Sequence, residues 1–346
     1  MASVLLAFIA GCSERPPLGP PPAPLTPPTR LCGPNEGSPA CRSPSDIVQL
    51  MNAELEILSM DSTPTGMQGA KVLTLRSRAP RGDTVFRAKW RPQSSADALS
   101  EPRKELAAYA VQHLFLDEEE LVVPPTTAHC FVGAEYRRFE PEARHSLRGV
   151  DCVLGFLEYW LEDSQTVKSA RKAGLLGPGE GVWDRRLFES DRAYRDSVSN
   201  GNLLTYLIDH GDAHDEQFVL QNSPRGLRAF VVDNSMSLGG IKNPMALFRE
   251  DWSSIHVPAL SAKAVSRLRQ LTAADFARLG NISELALQGG TLVPIAPSEP
   301  LASDGSPISW NGSHLRIGLT PSEIELVATR VRDLLKRDDL DALTRK

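Results

Sequence analysis

The sequence has no excess of positive charge and no long apolar segment beyond its first residues. Its 346 residues contain 38 Lys and Arg against 43 Asp and Glu, which gives a formal net charge of −5. A nucleic-acid-binding protein usually carries a basic surface, so this balance argues against nucleic acid as a partner. Because a transmembrane helix needs about 20 consecutive apolar residues, we expect no membrane span in the body of the chain.

Cysteine is scarce as well, with five residues, and none of them has the Cys-x-x-Cys or Cys/His spacing of a zinc site. The first of them, Cys12, follows a short apolar run and the small residues Ala10 and Gly11. This pattern is typical of a bacterial lipoprotein signal, in which the cysteine is lipidated after cleavage. The sequence therefore predicts a signal peptide over residues 1–12 and an exported protein that is lipid-anchored to a bacterial membrane. A buried N-terminal strand is the alternative.

A proline-rich segment follows, with eight prolines between Pro16 and Pro28. Such segments adopt extended polyproline II conformations of about 3 Å per residue, so we interpret residues 13–45 as a spacer. Export also permits disulfide bonds. The remaining four cysteines are an even number, and we expect two pairs, Cys32 with Cys41 and Cys130 with Cys152. Four unpaired thiols are the alternative.

Hydrophobic periodicity predicts an α+β fold with strands concentrated in the first half and helices in the second. Phe86, Ala88 and Trp90 alternate with Arg87 and Lys89, as expected for a strand with one buried face. We therefore expect a β-rich lobe over residues 46–160, a mainly helical lobe over 161–346, and a cleft between them. The predicted strands cover 54–60, 72–76, 84–90, 121–123, 129–132, 153–159, 218–220 and 227–232, and the predicted helices cover 46–52, 102–116, 199–207, 261–271, 273–279 and a segment from 320.

The segment from Asp209 to Phe218 contains the strongest chemical signal. Phosphoryl transfer from a nucleotide needs cations at the phosphates, a divalent metal, and a carboxylate that orients the acceptor hydroxyl. Asp212 and Gln217 are five residues apart, and Asp233 follows a predicted hairpin. This spacing predicts that the three side chains lie together at one edge of the hairpin.

The first half of the chain offers groups for the nucleotide. Lys89 ends the third predicted strand and could reach phosphates, and Glu105 on the next helix could hold it by an ion pair. Gly66 and Gly69 lie in the turn between the first two strands, where backbone could cover phosphates. Arg87 is a rival to Lys89, and each of these residues could also be an ordinary surface or turn residue.

Four motifs in this order resemble those of the Golgi casein kinase and four-jointed families of secretory-pathway kinases. They are Glu105-Leu106-Ala107-Ala108-Tyr109, Val123-Pro124-Pro125, Asp212-Ala213-His214 and Asp233-Asn234-Ser235. The resemblance implies a two-lobed protein-kinase-like fold that binds ATP and Mg²⁺ or Mn²⁺. It also implies a Lys89–Glu105 ion pair, Asp212 as catalytic base, Gln217 and Asp233 as metal ligands, and Glu158 and Tyr159 beside the adenine. Ala213 and Gln217 depart from the residues usual in these families.

These patterns predict a phosphotransferase that acts on a hydroxyl group of an exported protein or a small molecule. A catalytically inactive relative that serves as a binding scaffold is one alternative, because Gln217 is atypical and ATP is scarce outside the cytoplasm. Transfer of a nucleotide on the same fold is another. The polar cluster around Asp212 could also be a solvated turn or a His/Asp metal-hydrolase site.

Overall fold

A computed structural model describes residues 30–31, 41–63, 69–79, 82–97, 99–177, 181–223, 225–239, 251–298 and 305–345. Cys12, Cys32 and Gly66 lie outside these ranges. The predicted lipidation, the predicted Cys32–Cys41 pair and the predicted role of Gly66 therefore fall on residues that the structure does not describe. No helix in the described ranges is both long and apolar enough to cross a bilayer.

The described residues form a mixed α+β structure, which confirms the predicted fold class at that level. The helices are α1 (Pro44–Met51), α2 (Arg103–Gln112), α3 (Gly133–Tyr136), α4 (Val167–Lys172), α5 (Arg185–Ser190), α6 (Arg192–Leu207), α7 (Ala262–Gln270), α8 (Ala273–Ala277), α9 (Pro321–Leu335) and α10 (Leu340–Leu343). The strands are β1 (Arg30–Leu31), β2 (Cys41–Arg42), β3 (Leu55–Ser62), β4 (Lys71–Ala79), β5 (Gly82–Pro92), β6 (Thr126–Val132), β7 (Cys152–Tyr159), β8 (Ser164–Thr166), β9 (Phe218–Ser223), β10 (Gly226–Val231), β11 (Leu260–Ser261), β12 (Ser283–Gln288), β13 (Thr291–Ile295), β14 (Ile308–Trp310), β15 (His314–Ile317) and β16 (Thr344–Arg345).

The first half is built on a five-stranded sheet with strand order β3-β4-β5-β7-β6, in which every pairing is antiparallel. Side chains alternate between its two faces. Phe86, Ala88 and Trp90 lie in a core with the apolar side chains of α1, as the sequence predicts. The opposite face carries Lys89 and Arg91 toward α2, so this strand alternation decides which side chains can contact that helix.

The second half surrounds a three-stranded sheet in which β9 lies between β8 and β10. Helix α6 packs on β10, and their apolar side chains share one large core with α2 and α9. The segment predicted as a strand over 121–123 is irregular instead. The side chain of Gln112 accepts hydrogen bonds from the backbone of Val122 and Val123, while Val122 accepts one from Val231.

The sequence analysis missed a four-stranded sheet in the second half, which is therefore less helical than predicted. Its strand order is β13-β12-β15-β14, with strands of three to six residues. Leu285, Leu315 and Ile317 from this sheet pack against Ala128 and Phe156 of β6 and β7. Such short strands give weak alternation, and their burial depends on the distant first sheet.

A disulfide bond between Cys130 and Cys152 joins β6 to β7, with the two Cα atoms 5.5 Å apart. The two cysteines are separated by 22 residues in sequence. A cross-link of that span restricts the unfolded chain and, in the loop-entropy model, stabilises the folded state by about 3 kcal/mol.

We therefore expect the Cys130→Ala, Cys152→Ala double variant to lose about 3 kcal/mol of unfolding free energy. Urea unfolding of both proteins under oxidising conditions measures this difference. Reduction of the wild-type protein should produce a shift of similar size. Equal unfolding free energies for the oxidised wild-type protein and the double variant would contradict a stabilising role for the bond.

Candidate functional site

Lys89 joins two segments that are far apart in sequence. Its Nζ lies 3.1 Å from Oε1 of Glu105 on α2 and 3.4 Å from Oδ1 of Asp233, which follows β10. The Lys89 side chain is 14% exposed. The predicted Lys89–Glu105 ion pair is therefore present, and Asp233 lies at the same ammonium group.

Electrostatics keep Lys89 and Asp233 ionised. Burial by itself lowers the pKa of Lys89, but the carboxylates of Asp233 and Glu105 outweigh it and raise that pKa well above its ordinary value. Lys89, with a smaller contribution from Arg91, lowers the pKa of Asp233 to about 2 against an opposing effect of burial. Lys89 is therefore cationic and Asp233 anionic at neutral pH.

Glu105 is buried and also fixes the segment after Asp233. Its Oε2 accepts a hydrogen bond of 2.8 Å from the backbone N–H of Asn234. One carboxylate thus holds both Lys89 and the backbone next to Asp233. Its position depends on α2, whose first residue, Arg103, is bound to Glu323 on α9 through two hydrogen bonds of 3.0 and 2.6 Å.

Asp233 has the geometry of a side chain that can bind a further ligand. Its backbone is in the left-handed region with φ of 60°, which is costly for a residue other than glycine. Lys89 and Arg91 both contact Oδ1, and the side chain is 43% exposed. Within the described ranges Oδ2 has no hydrogen-bond partner, so it is available to a cation or a donor.

The loop around Asp212 is fixed to the segment that follows Asp233. The backbone N–H of Gly211 donates to Met236, and that of Leu238 donates to Ile208. His210 is fully buried, and its Nδ1 accepts a hydrogen bond from the backbone N–H of Asp212. These contacts place the Asp212 loop beside the segment that follows Asp233.

Gln217 contacts Asp212 in a way that the sequence did not indicate. Its Nε2 donates to Oδ2 of Asp212 over 3.2 Å, while His214 Nε2 lies 3.6 Å from the other carboxylate oxygen. The amide oxygen of Gln217 remains the atom that suits Mg²⁺ or Mn²⁺, which prefer oxygen ligands. In the described part of the chain, no group of three or more His, Cys, Asp or Glu side chains is arranged to hold a metal ion. A cation here would fit one carboxylate, one amide oxygen, water and ligand oxygens.

Arg91 belongs to the site and was missed by the sequence analysis. It is buried, with Nη1 3.5 Å from Asp233, and it donates hydrogen bonds to Ser100 and Ser235. Strand alternation could have indicated its position, because residues two apart on a strand share a face and Arg91 is two residues after Lys89.

Arg87, the rival to Lys89, is committed elsewhere. Its guanidinium binds the carboxylate of Glu162 and lies 5.6 Å from the centre of the Trp160 ring. The backbone N–H of Trp160 donates to Arg87 over 3.0 Å. Arg87 therefore holds the chain where it leaves the first sheet, and the cations of this strand that contact Asp233 are Lys89 and Arg91.

The residues predicted beside an adenine divide between the two faces of the first sheet. Tyr159 lies in the core on the α1 face, where its ring stacks on Phe86 with centroids 6.4 Å apart. Its side chain therefore lies on the sheet face opposite Lys89, which corrects the prediction that groups it with the nucleotide-binding residues. Glu158 lies on the face of Lys89 and pairs with it across β5 and β7.

Gly69 is placed where the sequence predicted a phosphate-covering turn. It has φ of 73°, a conformation that favours glycine. The turn leads into β4, in which Val72 is paired with Lys89. Gly69 therefore lies near the end of the sheet at which Lys89 meets Glu105 and Asp233.

Comparisons with known proteins leave this site as the basis for assigning a function. No protein-family model matches the chain, and a search of curated proteins found no match.

Proposed function

We propose that this protein is an ATP- and divalent-metal-dependent phosphotransferase with a two-lobed, protein-kinase-like fold. Residues 46–160 would form the first lobe, residues 161–346 the second, and the nucleotide would bind between them. The observation that carries the proposal is the contact of Lys89 with both Glu105 and Asp233. Strand, helix and hairpin thus supply a cation, its orienting carboxylate and a metal-ligand candidate at one place, next to the loop of Asp212.

Each side chain has a defined role in this proposal. Lys89 binds the phosphates, and Glu105 orients Lys89 while anchoring Asn234. The oxygen of the acceptor hydroxyl attacks the γ-phosphorus, and the Asp212 carboxylate accepts the proton of that hydroxyl. The bond from the γ-phosphorus to the β–γ bridging oxygen breaks, which releases ADP. Asp233 and the amide oxygen of Gln217 would hold the cation, which neutralises charge on the phosphates when bound.

A nucleotide-binding scaffold without transfer activity is a second candidate, and one observation favours it. The Gln217 side chain donates a hydrogen bond to one oxygen of Asp212, and the side chains of Lys89 and Arg91 both contact one oxygen of Asp233. A protein that only binds nucleotide could keep these contacts, whereas transfer requires Asp212 to exchange its bond for one to the acceptor.

The proposed location is outside the cytoplasm, attached to a membrane through lipid on Cys12. The Cys130–Cys152 disulfide supports this proposal, because such bonds persist mainly in oxidising compartments. The acceptor would then be an exported protein or a small molecule that reaches the same compartment.

Thermal unfolding of the full chain with ATP and Mn²⁺ or Mg²⁺ tests the nucleotide site. A ligand that binds only the folded state stabilises it by about 2.7 kcal/mol at 100 times its Kd. We expect a metal-dependent rise in melting temperature that is lost in the Asp233→Ala variant. The Asp61→Ala variant, which removes an exposed carboxylate from β3, is the control and should respond like the wild-type protein. No rise at millimolar nucleotide would contradict the proposal.

A further inference from the structure

An apolar groove lies between α7, α8 and α9, and its described lining residues include none of those in the proposed nucleotide site. Its volume is about 610 Å³, within the range of about 300–1,000 Å³ that is usual for small-molecule sites. Leu268, Leu319 and Val331 are buried lining residues. The large apolar lining residues that stay partly exposed are Leu271, Phe276, Ile324 and Leu335. Apolar side chains that remain exposed together indicate a binding surface.

The polar side chains of the groove indicate that the body of its ligand is apolar. Among the described residues, no buried side-chain nitrogen or oxygen without a hydrogen-bond partner belongs to a residue that lines the groove. Thr272 is a lining residue, but its side chain is engaged in the capping box that begins α8. A ligand rich in polar groups would lose its hydrogen bonds to water without replacement, whereas an apolar chain gains by leaving water.

The charged residues of the lining leave one cation for an anionic group. They are Arg269, Arg332 and Glu325. Arg332 is bound to Glu325 and to Thr329 on the same helix. Arg269 lies 3.3 Å from Asp341, a carboxylate that is 94% exposed and is not a lining residue. Because such an exposed pair contributes little to stability, an anionic ligand group can replace Asp341 beside Arg269.

We infer that this groove binds a free fatty acid, whose acyl chain contacts the apolar side chains of α7, α8 and α9 and whose carboxylate binds Arg269. The apolar lining selects the chain, and the cation at its edge selects the acid over a neutral lipid. A peptide fits less well, because its backbone N–H and C=O groups need hydrogen-bond partners that the side chains of this lining do not offer. The inference goes beyond the proposed phosphotransferase and does not depend on it.

The experiment measures the affinities of octanoate, decanoate and laurate for the full chain by calorimetry, below the concentrations at which these acids form micelles. We expect the affinity to rise about fourfold for each CH₂ group that becomes buried, until the chain fills the groove. The alcohols of the same lengths should bind about two- to fivefold more weakly, the range for an exposed charge pair. Arg269→Gln should remove this preference for the acid. Arg278→Gln is the matched control, since it removes another exposed arginine 3.3 Å from a carboxylate, that of Asp275, and it should keep the preference.

A second variant tests the groove itself. Ala328 is a buried lining residue of α9, and the ring introduced by Ala328→Phe should take up space that the acyl chain needs. Displacement of two CH₂ groups alone would weaken binding about 15-fold. Thr329→Phe places the same ring on the next residue of α9, which is not a lining residue, and should bind like the wild-type protein.

Four results would overturn the inference. They are no binding of laurate by the wild-type protein at millimolar concentration, undiminished binding by folded Ala328→Phe, a preference for the acid that persists in Arg269→Gln, and a wild-type dimer in sedimentation that Ala328→Phe dissociates. The last result would identify a second copy of the chain as the occupant. If thermal unfolding shows that Ala328→Phe does not fold, the chain-length series and the Arg269→Gln comparison still decide the question.

Discussion

Replacement of Asp212 by Ala should abolish phosphoryl transfer while leaving nucleotide binding intact. General base catalysis by a positioned side chain contributes about 10²- to 10⁴-fold to a rate, and we expect a loss of that size. Asp212 lies on the loop beside the Asp233 segment, but Lys89, Glu105 and Asp233 do not depend on it for their mutual contacts. The ATP-dependent rise in melting temperature should therefore be that of the wild-type protein.

The measurement is the amount of labelled phosphate that moves from ATP to an acceptor or to water, together with the thermal shift. Asp215→Ala is the matched control, since it removes a neighbouring carboxylate that lies 3.7 Å from His214 and is 38% exposed. That variant should keep its transfer rate. Transfer by Asp212→Ala at the wild-type rate would exclude Asp212 as the base. Binding without transfer in the wild-type protein would favour the scaffold.

The part of the site that could be predicted from sequence depends on local regularity. Lys89 and Glu105 lie on consecutive elements, β5 and α2, which residues 93–102 connect, and alternation along β5 decides which face Lys89 occupies. The spacing of Asp212, Gln217 and Asp233 follows from a hairpin whose strands pair from Phe218 to Val231. In such cases short-range geometry limits where a side chain can point.

The remaining features depend on contacts between distant segments. Tyr159 and Glu158 are adjacent in sequence, and which of them shares the sheet face of Lys89 depends on the register of β7 against β5. The sheet of β12 to β15 is stabilised by side chains of β6 and β7, which lie more than 120 residues earlier in the chain. The apolar and polar alternation within its own short strands is therefore too weak to predict it. The orientation of Gln217 toward Asp212 likewise depends on how two loops pack, which no periodic pattern encodes.

The largest expected effect on stability comes from the ion pair between Arg103 and Glu323, which joins α2 to α9. The two side chains are 4% and 9% exposed, and two hydrogen bonds connect them. Glu323 also accepts a hydrogen bond from the backbone N–H of Thr320 in the capping box that begins α9. Removal of one partner from a buried pair leaves an uncompensated charge and typically costs about 3–5 kcal/mol.

We therefore expect Arg103→Met to lower the free energy of unfolding by about 3–5 kcal/mol, as measured by urea denaturation. Arg137 and Asp151 form a pair with the same two-bond geometry but greater exposure, 34% and 56%. Arg137→Met is the matched control, and its loss of unfolding free energy should be much smaller, because solvent screens an exposed pair. Equal losses in the two variants would show that burial of the Arg103–Glu323 pair has no special effect.

The loss of unfolding free energy in Arg103→Met should depend on pH with a defined sign. Burial opposes ionisation of Glu323, but the hydrogen bond and charge of Arg103 outweigh it and lower the pKa of Glu323 below its ordinary value. A carboxyl with a lowered folded-state pKa stabilises the protein above its unfolded-state pKa, and this contribution is lost as the pH falls through the folded-state value. The destabilisation by Arg103→Met should thus be full at neutral pH and decrease in acid.

The Arg103–Glu323 pair also provides a test of how the site is held together. Glu105 is two residues from Arg103 on α2, and it positions both Lys89 and the backbone of Asn234. The Arg103→Met, Glu323→Gln double variant removes both charges while keeping an acceptor for the α9 cap, so it should recover part of the lost stability. If α2 is held in place by this pair, the double variant should still bind ATP more weakly than the wild-type protein does. Recovery of stability together with wild-type ATP affinity would show that the remaining packing of α2 is sufficient to position Glu105.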